Sequence, residues 1–422
     1  MTGASPAATS RALGERRASA QAGVVQRADW RPVVAAAGVT WAVSRLACAV
    51  ITYLAVTIPA AAPTGPRALL LAWNRWDTGW YLIISQQGYR SRMASAFYPL
   101  YPGLIGGVSW LLGDGHGPQW PAYDPVRLVA ALGIANLGTL AGLIALALLA
   151  WTEERSAAAA TWAVRAAIVY PFSFMLAAAY SEGLFLAEAA CCLLLARRGR
   201  WLPCAAAALL AGATRPTAVV LVAPLAWEYF RQHRSSPALA GGWRTAVPVL
   251  LRGAAAVGAA PAAIAGYMAY LWWRFGDPLT GLRVESEVWG RHLTPPWVTA
   301  WAVGRDLLFG PHWNHVEAKV LVTVLAVVAM LAVTLLGLRT APFAFTLYML
   351  GLLLLCVASP ALSYYNALGS AGRFLVVSVP AFLLVGSWVA RRPGREFPGF
   401  GLLLAVQTLL AAAYLSGADG IA

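Results

Sequence analysis

The stretch Val33–Val56, VVAAAGVTWAVSRLACAVITYLAV, decides what kind of protein this is. Arg45 is its one charged residue, and it exceeds the roughly 20 residues a helix needs to cross a bilayer core of about 30 Å. Similar runs recur at Leu128–Trp151 (LVAALGIANLGTLAGLIALALLAW), at Val320–Leu338 (VLVTVLAVVAMLAVTLLGL) and around Leu352–Val357. Their apolar character is continuous instead of alternating. They read as helices, not as barrel strands, and lipid tolerates only those two solutions because backbone polar groups find no water there.

Composition agrees. The chain is 60% hydrophobic and 11% charged, against roughly 25% charged in a soluble domain, and its mean hydropathy is +0.64. The longest polar stretches are 1–31 and the loops at about 59–95 and 274–316, none of which is a soluble domain. A net charge of +14 does not imply nucleic acid, because the basic residues sit in short loops between apolar runs, where they fix topology. Residues 1–31 predict a disordered cytoplasmic tail. Val33–Val56 is too long for a cleaved signal core, so it reads as a retained first span. Cys48, Cys191, Cys192, Cys204 and Cys356 all fall inside apolar runs, which predicts neither a disulfide framework nor a thiolate metal site.

The basic clusters Arg197-Arg198-Gly199-Arg200, Arg231 to Arg244, and Arg391-Arg392 with Arg395 should share the cytoplasmic side with the basic N-terminus. Spans at 33–57, 126–150, 158–178 and 182–196 already return the chain to that side before Arg197. Phe97–Gly113 therefore reads as a juxtamembrane or re-entrant helix, and its prolines and glycines suit that better than a regular span. Further spans near 201–214, 216–230, 247–273, 317–338, 343–358, 374–390 and 399–416 give about eleven crossings, with the C-terminus outside. The predicted fold is an all-α polytopic membrane protein, with residues 32–417 forming one transmembrane domain. Its outer loops, at about 59–125, 274–316 and 359–373, share the extracytoplasmic side with Ser181-Glu182 and Thr214-Arg215-Pro216.

Those outer segments carry the candidate chemistry. In the first loop Trp73, Trp76, Trp80, Ile83 and Ile84 fall on one helical face, which predicts an interfacial helix. Asp77 lies at its edge beside Trp80 and Tyr81, as a reactive carboxylate, as an N-terminal helix charge or as the partner of an ion pair with Arg75. Thr214-Arg215-Pro216 splits an apolar stretch and leaves Arg215 at or below the outer surface. An arginine at that depth needs an anion, a wet cavity or a structural partner such as Glu182 or Asp77, and its fork suits phosphate. Arg373, after Tyr364-Tyr365-Asn366, is another cation at this level. The long loop carries Arg274, Asp277, Arg283, Glu285, Glu287, Trp289, Arg291 and His292, and such a loop is suited to close over a ligand. His312 and His315 at i, i+3 lack a third ligand of fixed spacing. Arg45 and Arg165, inside spans, either snorkel or pair structurally.

Trp76-Asp77, Trp80-Tyr81, Gly88-Tyr89 and Phe97-Tyr98-Pro99-Leu100-Tyr101-Pro102 together resemble the N-terminal signature of the PIG-V family, the second mannosyltransferase of GPI-anchor synthesis and its bacterial relatives. Tyr180-Ser181-Glu182 with Leu184-Phe185, Thr214-Arg215-Pro216-Thr217, and Tyr270 to Pro278 followed by Trp289 and Pro296-Trp297 are similar to its later motifs. Gly183 departs from the pattern, where serine is more usual, and the C-terminal loop aligns only loosely through Arg373. The resemblance covers about 40–385. It implies the GT-C glycosyltransferase superfamily, an acidic residue in the first outer loop, a polyprenyl-phosphate-mannose donor and inverting α-mannosyl transfer. One lysine, Lys319, among thirty arginines suggests a GC-rich bacterial genome. Bacteria make no GPI anchor, so the acceptor would be a lipid-linked or cell-wall glycan.

The expectation is a multi-pass enzyme of the plasma membrane working on its outer face. No nucleotide sugar reaches that face, so the sugar arrives on a lipid. Asp77 would be the general base, Arg215 and Arg373 would bind the donor phosphate, and Trp76, Trp80, Tyr81, Glu182, Trp289 and His292 would support the site. No cofactor is demanded, although Asp77 and Glu182 are suited to share a divalent metal. A lipid or solute transporter, or a non-catalytic subunit of a glycan-assembly complex, uses outer-edge arginines equally well.

Overall fold

The computed structural model describes residues 29–58, 65–113, 124–309, 315–362, 367–392, 394 and 396–417. Residues 1–28 of the N-terminal tail, His312 and Tyr364-Tyr365-Asn366 lie outside the described residues. The described chain is helical, with a single isolated bridge between Arg291 and Ala361 in place of any strand. Among the described residues five helices are long and apolar enough to cross a membrane: α1 (Arg31–Thr57), α5 (Pro125–Glu154), α11 (Trp243–Phe275), and the segments Ala318–Thr340 of α14 (His315–Thr340) and Pro398–Ser416 of α18 (Glu396–Ser416). Shorter apolar helices accompany them: α6 (Ala157–Val169), α8 (Trp201–Thr214), α15 (Phe343–Ala358) and α17 (Val379–Ala390). On α1, Val39, Val43, Leu46 and Val50 form an outward stripe, each more than half exposed. Such a stripe is stable only against lipid. This is a multi-pass membrane protein.

α5 and α7 (Glu182–Arg197) pack closely enough that glycine is required at their crossing. A Cβ at Gly183 would lie 2.2 Å from the Ala135 carbonyl oxygen, and one at Gly138 2.8 Å from the backbone of Leu184. Small residues permit such backbone contact between membrane helices. This accounts for the glycine at position 183, and it fixes the depth of the neighbouring Glu182.

Three expected spans prove to be interrupted. The span at 158–178 stops as a helix at Val169, because Tyr170 precedes Pro171 and takes an extended ψ of 134°. The buried irregular segment that follows is satisfied by α5, with Thr139 and Asn136 donating to the Leu176 and Ala177 carbonyls at 2.8 and 3.1 Å. Non-helical backbone survives at membrane depth only when buried in this way. The span at 216–230 opens with a 3₁₀ turn (Pro216–Leu221) before α9 (Val222–His233), and 374–390 divides into α16 (Ala371–Leu375) and α17. Phe97–Gly113 contains only the 12-residue α4 (Leu100–Leu111), too short to cross, in keeping with a juxtamembrane helix.

The three basic clusters meet at one end of the bundle. Arg197 pairs with Glu153 and Glu228, Arg231 with Glu228, and Arg391 with Glu154. Helix α7 starts at Glu182 and ends at Arg197, so Glu182 lies at the opposite end, about 24 Å away at 1.5 Å per residue.

Candidate active site

Asp77 is the first residue of α3 (Asp77–Gln87). The residue before it, Trp76, has φ of 41°, a left-handed conformation costly for a side chain of this size. The helix therefore begins at Asp77, and Trp73–Ile84 is not one continuous amphipathic face. Trp73, Tyr81, Leu82 and Ile84 are buried, and α3 packs on α4 and α5 instead of lying at the lipid surface.

The Asp77 carboxylate does not pair with Arg75, which donates to the Leu415 carbonyl at the end of α18. Its Oδ2 accepts from Arg373 Nη1 at 2.6 Å. Arg373 Nε also lies 3.2 Å from Glu182 Oε1, and that same oxygen is 2.6 Å from Arg215 Nη1. Two acidic residues from the first half of the chain and two basic residues from the second thus form a row, Asp77–Arg373–Glu182–Arg215. Each charge sits where its helix favours it, with Glu182 at the N-terminus of α7 and Arg215 capping the C-terminus of α8. The second oxygen of Glu182 is buried and has no hydrogen-bond partner.

A cavity of 210 Å³ opens over this row, lined by Trp76, Asp77, Phe97, Glu285, Trp289, Arg291, Ser370, Arg373 and Phe374. Glu285 and Trp289 come from α12 (Thr280–Trp289), and Arg291 follows its αL cap at Gly290. Arg291 sits 3.4 Å from Glu285. Its backbone is held against the 358–362 strip by the Leu362 N–H to Gly290 bond and the Thr294 N–H to Ala358 bond. Partial burial raises the Glu285 carboxyl above its usual range, with Arg291 opposing and Asp77 reinforcing. Burial lowers the Arg291 guanidinium, with Glu285 opposing. The Phe374 ring lies within 5.2–5.5 Å of three guanidiniums, those of Arg215, Arg291 and Arg373.

The structure sorts the sequence candidates. Asp77, Arg373, Trp76 and Trp289 line the cavity, and Glu182 sits directly behind it. Arg215 is bound to Glu182 on the far side of the row and does not line the cavity. Trp80 and Tyr81 act one layer back. Trp80 stacks on Phe97 at 6.0 Å, and Tyr81 packs edge-on to Phe97 and hydrogen-bonds Ser181 at 3.0 Å. His292 is exposed, hydrogen-bonded to Ser286, and not brought to the cavity. Arg45 and Arg165 are remote, Arg45 bonded to Asn136 and Arg165 stacked on Trp162. Glu285 and Arg291, which the sequence offers only as loop charges, prove to be cavity residues. Phe374 and Ser370 carry no sequence signal at all. Lys319 is buried at the same end, within electrostatic reach of Arg373.

Among the described residues no group of three or more His, Cys, Asp and Glu side chains converges as a metal site. The donor type of Asp77 and Glu182 is compatible with a divalent metal, but the Arg373 guanidinium bridges the two carboxylates. A shared cation would have to displace it.

No protein-family model matches the chain, and no curated protein matches it in sequence. Among solved structures the chain is similar to the oligosaccharyltransferase of Archaeoglobus fulgidus. The apo form superposes with a TM-score of 0.39 at 12% identity, covering 90% of this chain and 56% of that one. The complex of that enzyme with zinc and sulfate gives 0.39 at 13% identity, covering 89% and 53%. The chain spans about half the length of the solved structures it matches.

Proposed function

We propose that the chain is a GT-C-type membrane glycosyltransferase of the PIG-V kind. It moves a mannosyl group from polyprenyl-phosphate-mannose to a lipid-linked or cell-wall glycan on the extracytoplasmic face of the cell membrane. The observation that carries this reading is the convergence of Asp77, Glu182, Glu285, Arg291 and Arg373, from widely separated segments, on one cavity at the end of the bundle opposite the basic clusters. That placement matches the outer face assigned from the basic loops.

The residues fit the reaction. The acceptor hydroxyl oxygen attacks the anomeric carbon from the face opposite the phosphate, and the bond from that carbon to the phosphate oxygen breaks, inverting the centre. The hydroxyl proton passes to Asp77, whose Oδ1 takes no hydrogen bond among the described residues while Arg373 holds Oδ2. Arg373 and Arg291 face the cavity and stabilise the departing polyprenyl phosphate as the sugar becomes oxocarbenium-like. Arg215 acts through Glu182, which it neutralises in part, so that Arg373 stays available to the anion. Trp76 and Trp289 provide apolar walls against which a sugar face packs.

The test uses purified protein in lipid, labelled polyprenyl-phosphate-mannose and a lipid extract from the source cells. Wild type should transfer label to new products and Asp77→Asn should not. An Asp77→Asn protein that folds and transfers label at the wild-type rate removes the base assignment. No transfer by wild type, with intact donor, removes the enzyme reading.

A further inference from the structure

Helix α12 is a wall with a cavity on each side. Glu285 and Trp289, four residues apart, face the site containing Asp77. Arg283 and Glu287, also four apart, and Thr280 line a second cavity of 360 Å³, completed by Arg92, Phe275 and Asp277. At 100° per residue these two sets lie on opposite faces of the helix.

The wall is held firmly. Gly281 lies against the 3₁₀ turn Arg92–Ala96, where a Cβ would come 2.6 Å from the Ser95 carbonyl oxygen. Tyr267 of α11 donates between the Ser95 and Phe97 carbonyls at 3.1 Å each. Asp277 Oδ1 accepts from the Leu279 N–H at 3.0 Å, fixing the entry to α12. The two cavities therefore keep a constant relation.

The chemistry of the second cavity is balanced. Arg92 and Arg283 oppose Asp277 and Glu287, and Arg283 already pairs with Asp277 at 2.8 Å. Such a lining has no excess charge with which to hold phosphate. It offers donors and acceptors together, beside the apolar edge of Phe275. Hydroxyl groups that both donate and accept satisfy it, and the C–H faces of a sugar fit the ring.

We propose that this second cavity is a subsite for a neutral glycan, holding remote sugars of the acceptor while its reacting end lies beside Asp77. The inference rests on the glycosyl-transfer reading. A helix with its side chains is about 10–12 Å across, so a ligand reaching both cavities is an extended oligosaccharide and not a single sugar. Binding energy gained from the remote sugars would position the reacting hydroxyl.

The full chain in lipid nanodiscs tests this by saturation-transfer NMR with linear α-linked mannobiose, mannotriose and mannotetraose. Wild type should bind tetraose at least tenfold tighter than biose. An R283A/E287A double variant, whose changed side chains are exposed, should keep its melting temperature and lose that gain, and Arg92→Ala on the facing wall should lose it too. Equal affinity for every length, no binding, or full retention by the variants overturns the subsite. The labelled-donor assay on the same preparations separates the two readings: glycan binding without transfer removes the enzyme, and transfer without length dependence removes only the subsite.

Discussion

The two ends of the bundle are built from the same residue types and arrive at opposite conditions. At the basic end, Arg197 forks onto both oxygens of Glu153 at 2.7 and 2.8 Å and reaches both oxygens of Glu228 at 3.1 and 3.2 Å. Arg231 forks onto Glu228 as well, and Gln232 closes the ring at 2.6 Å. Both oxygens of Glu153 and both of Glu228 are in use. At the other end, among the described residues, the Asp77 carboxylate has one bond, Glu182 leaves a buried oxygen without a partner, and the row faces an open cavity. Buried polar groups are normally satisfied. The first network is complete as it stands, whereas the second has capacity left for a ligand. Ion pairs alone would not have told the site from the scaffold.

The largest effect should come from Asp77→Asn, which is expected to reduce the transfer rate by about 10²- to 10⁴-fold with an unchanged melting curve. A residual rate near wild type would place the cluster with the structural network. Arg197→Ala at the basic end should do the reverse. Leaving Glu228 buried and underpaired is expected to cost about 3–5 kcal/mol in denaturant unfolding, with no change in activity per folded molecule. Gly183→Ser should destabilise by about 1–3 kcal/mol or more by overpacking α7 on α5. Activity should fall with it, because Glu182 moves; a serine tolerated without loss would show that the close approach is not needed.

The smallest effect concerns pH. The raised Glu285 carboxyl favours the protonated form in the folded protein. Its contribution to stability is therefore full below the ordinary carboxylate range and is lost as pH rises through the raised value. Glu285→Gln should flatten that part of the stability–pH curve, and an unchanged curve would assign the dependence to another group.

Much of the architecture was legible in the sequence, because length and continuous apolarity are local properties. The basic clusters assigned to one side do meet at one end, and Phe97–Gly113 holds only a short helix. The interruptions were less legible. Pro171 ends α6, yet the apolar run continues past it, since the irregular segment is buried by protein and is as apolar as a span. The one-face reading of Trp73–Ile84 failed because the chain is not helical over 72–76, and the positive φ of Trp76, of which tryptophan gives no warning, sets the phase of the helix that follows. In the site, Asp77 and Arg373 were identified as types at the right level, but their pairing spans 296 residues. Glu285 and Arg291 were hidden among loop charges because only the contact of 290–294 with 358–362 separates them from their solvated neighbours.

The shortness of α6 has a consequence for how the chain enters the membrane. At 13 residues it is about 20 Å long, and a free helix of that length does not cover a core of about 30 Å. Its tight partner is α17, against whose Gly386 the Ala163 backbone lies, and Tyr170 just beyond it donates to the Gly372 carbonyl 202 residues later. During synthesis α6 must wait beside α5, incompletely covered, until the last quarter of the protein has been made. Biogenesis is therefore not a series of independent insertions, and a truncation before α17 should leave the early helices as substrates for membrane quality control.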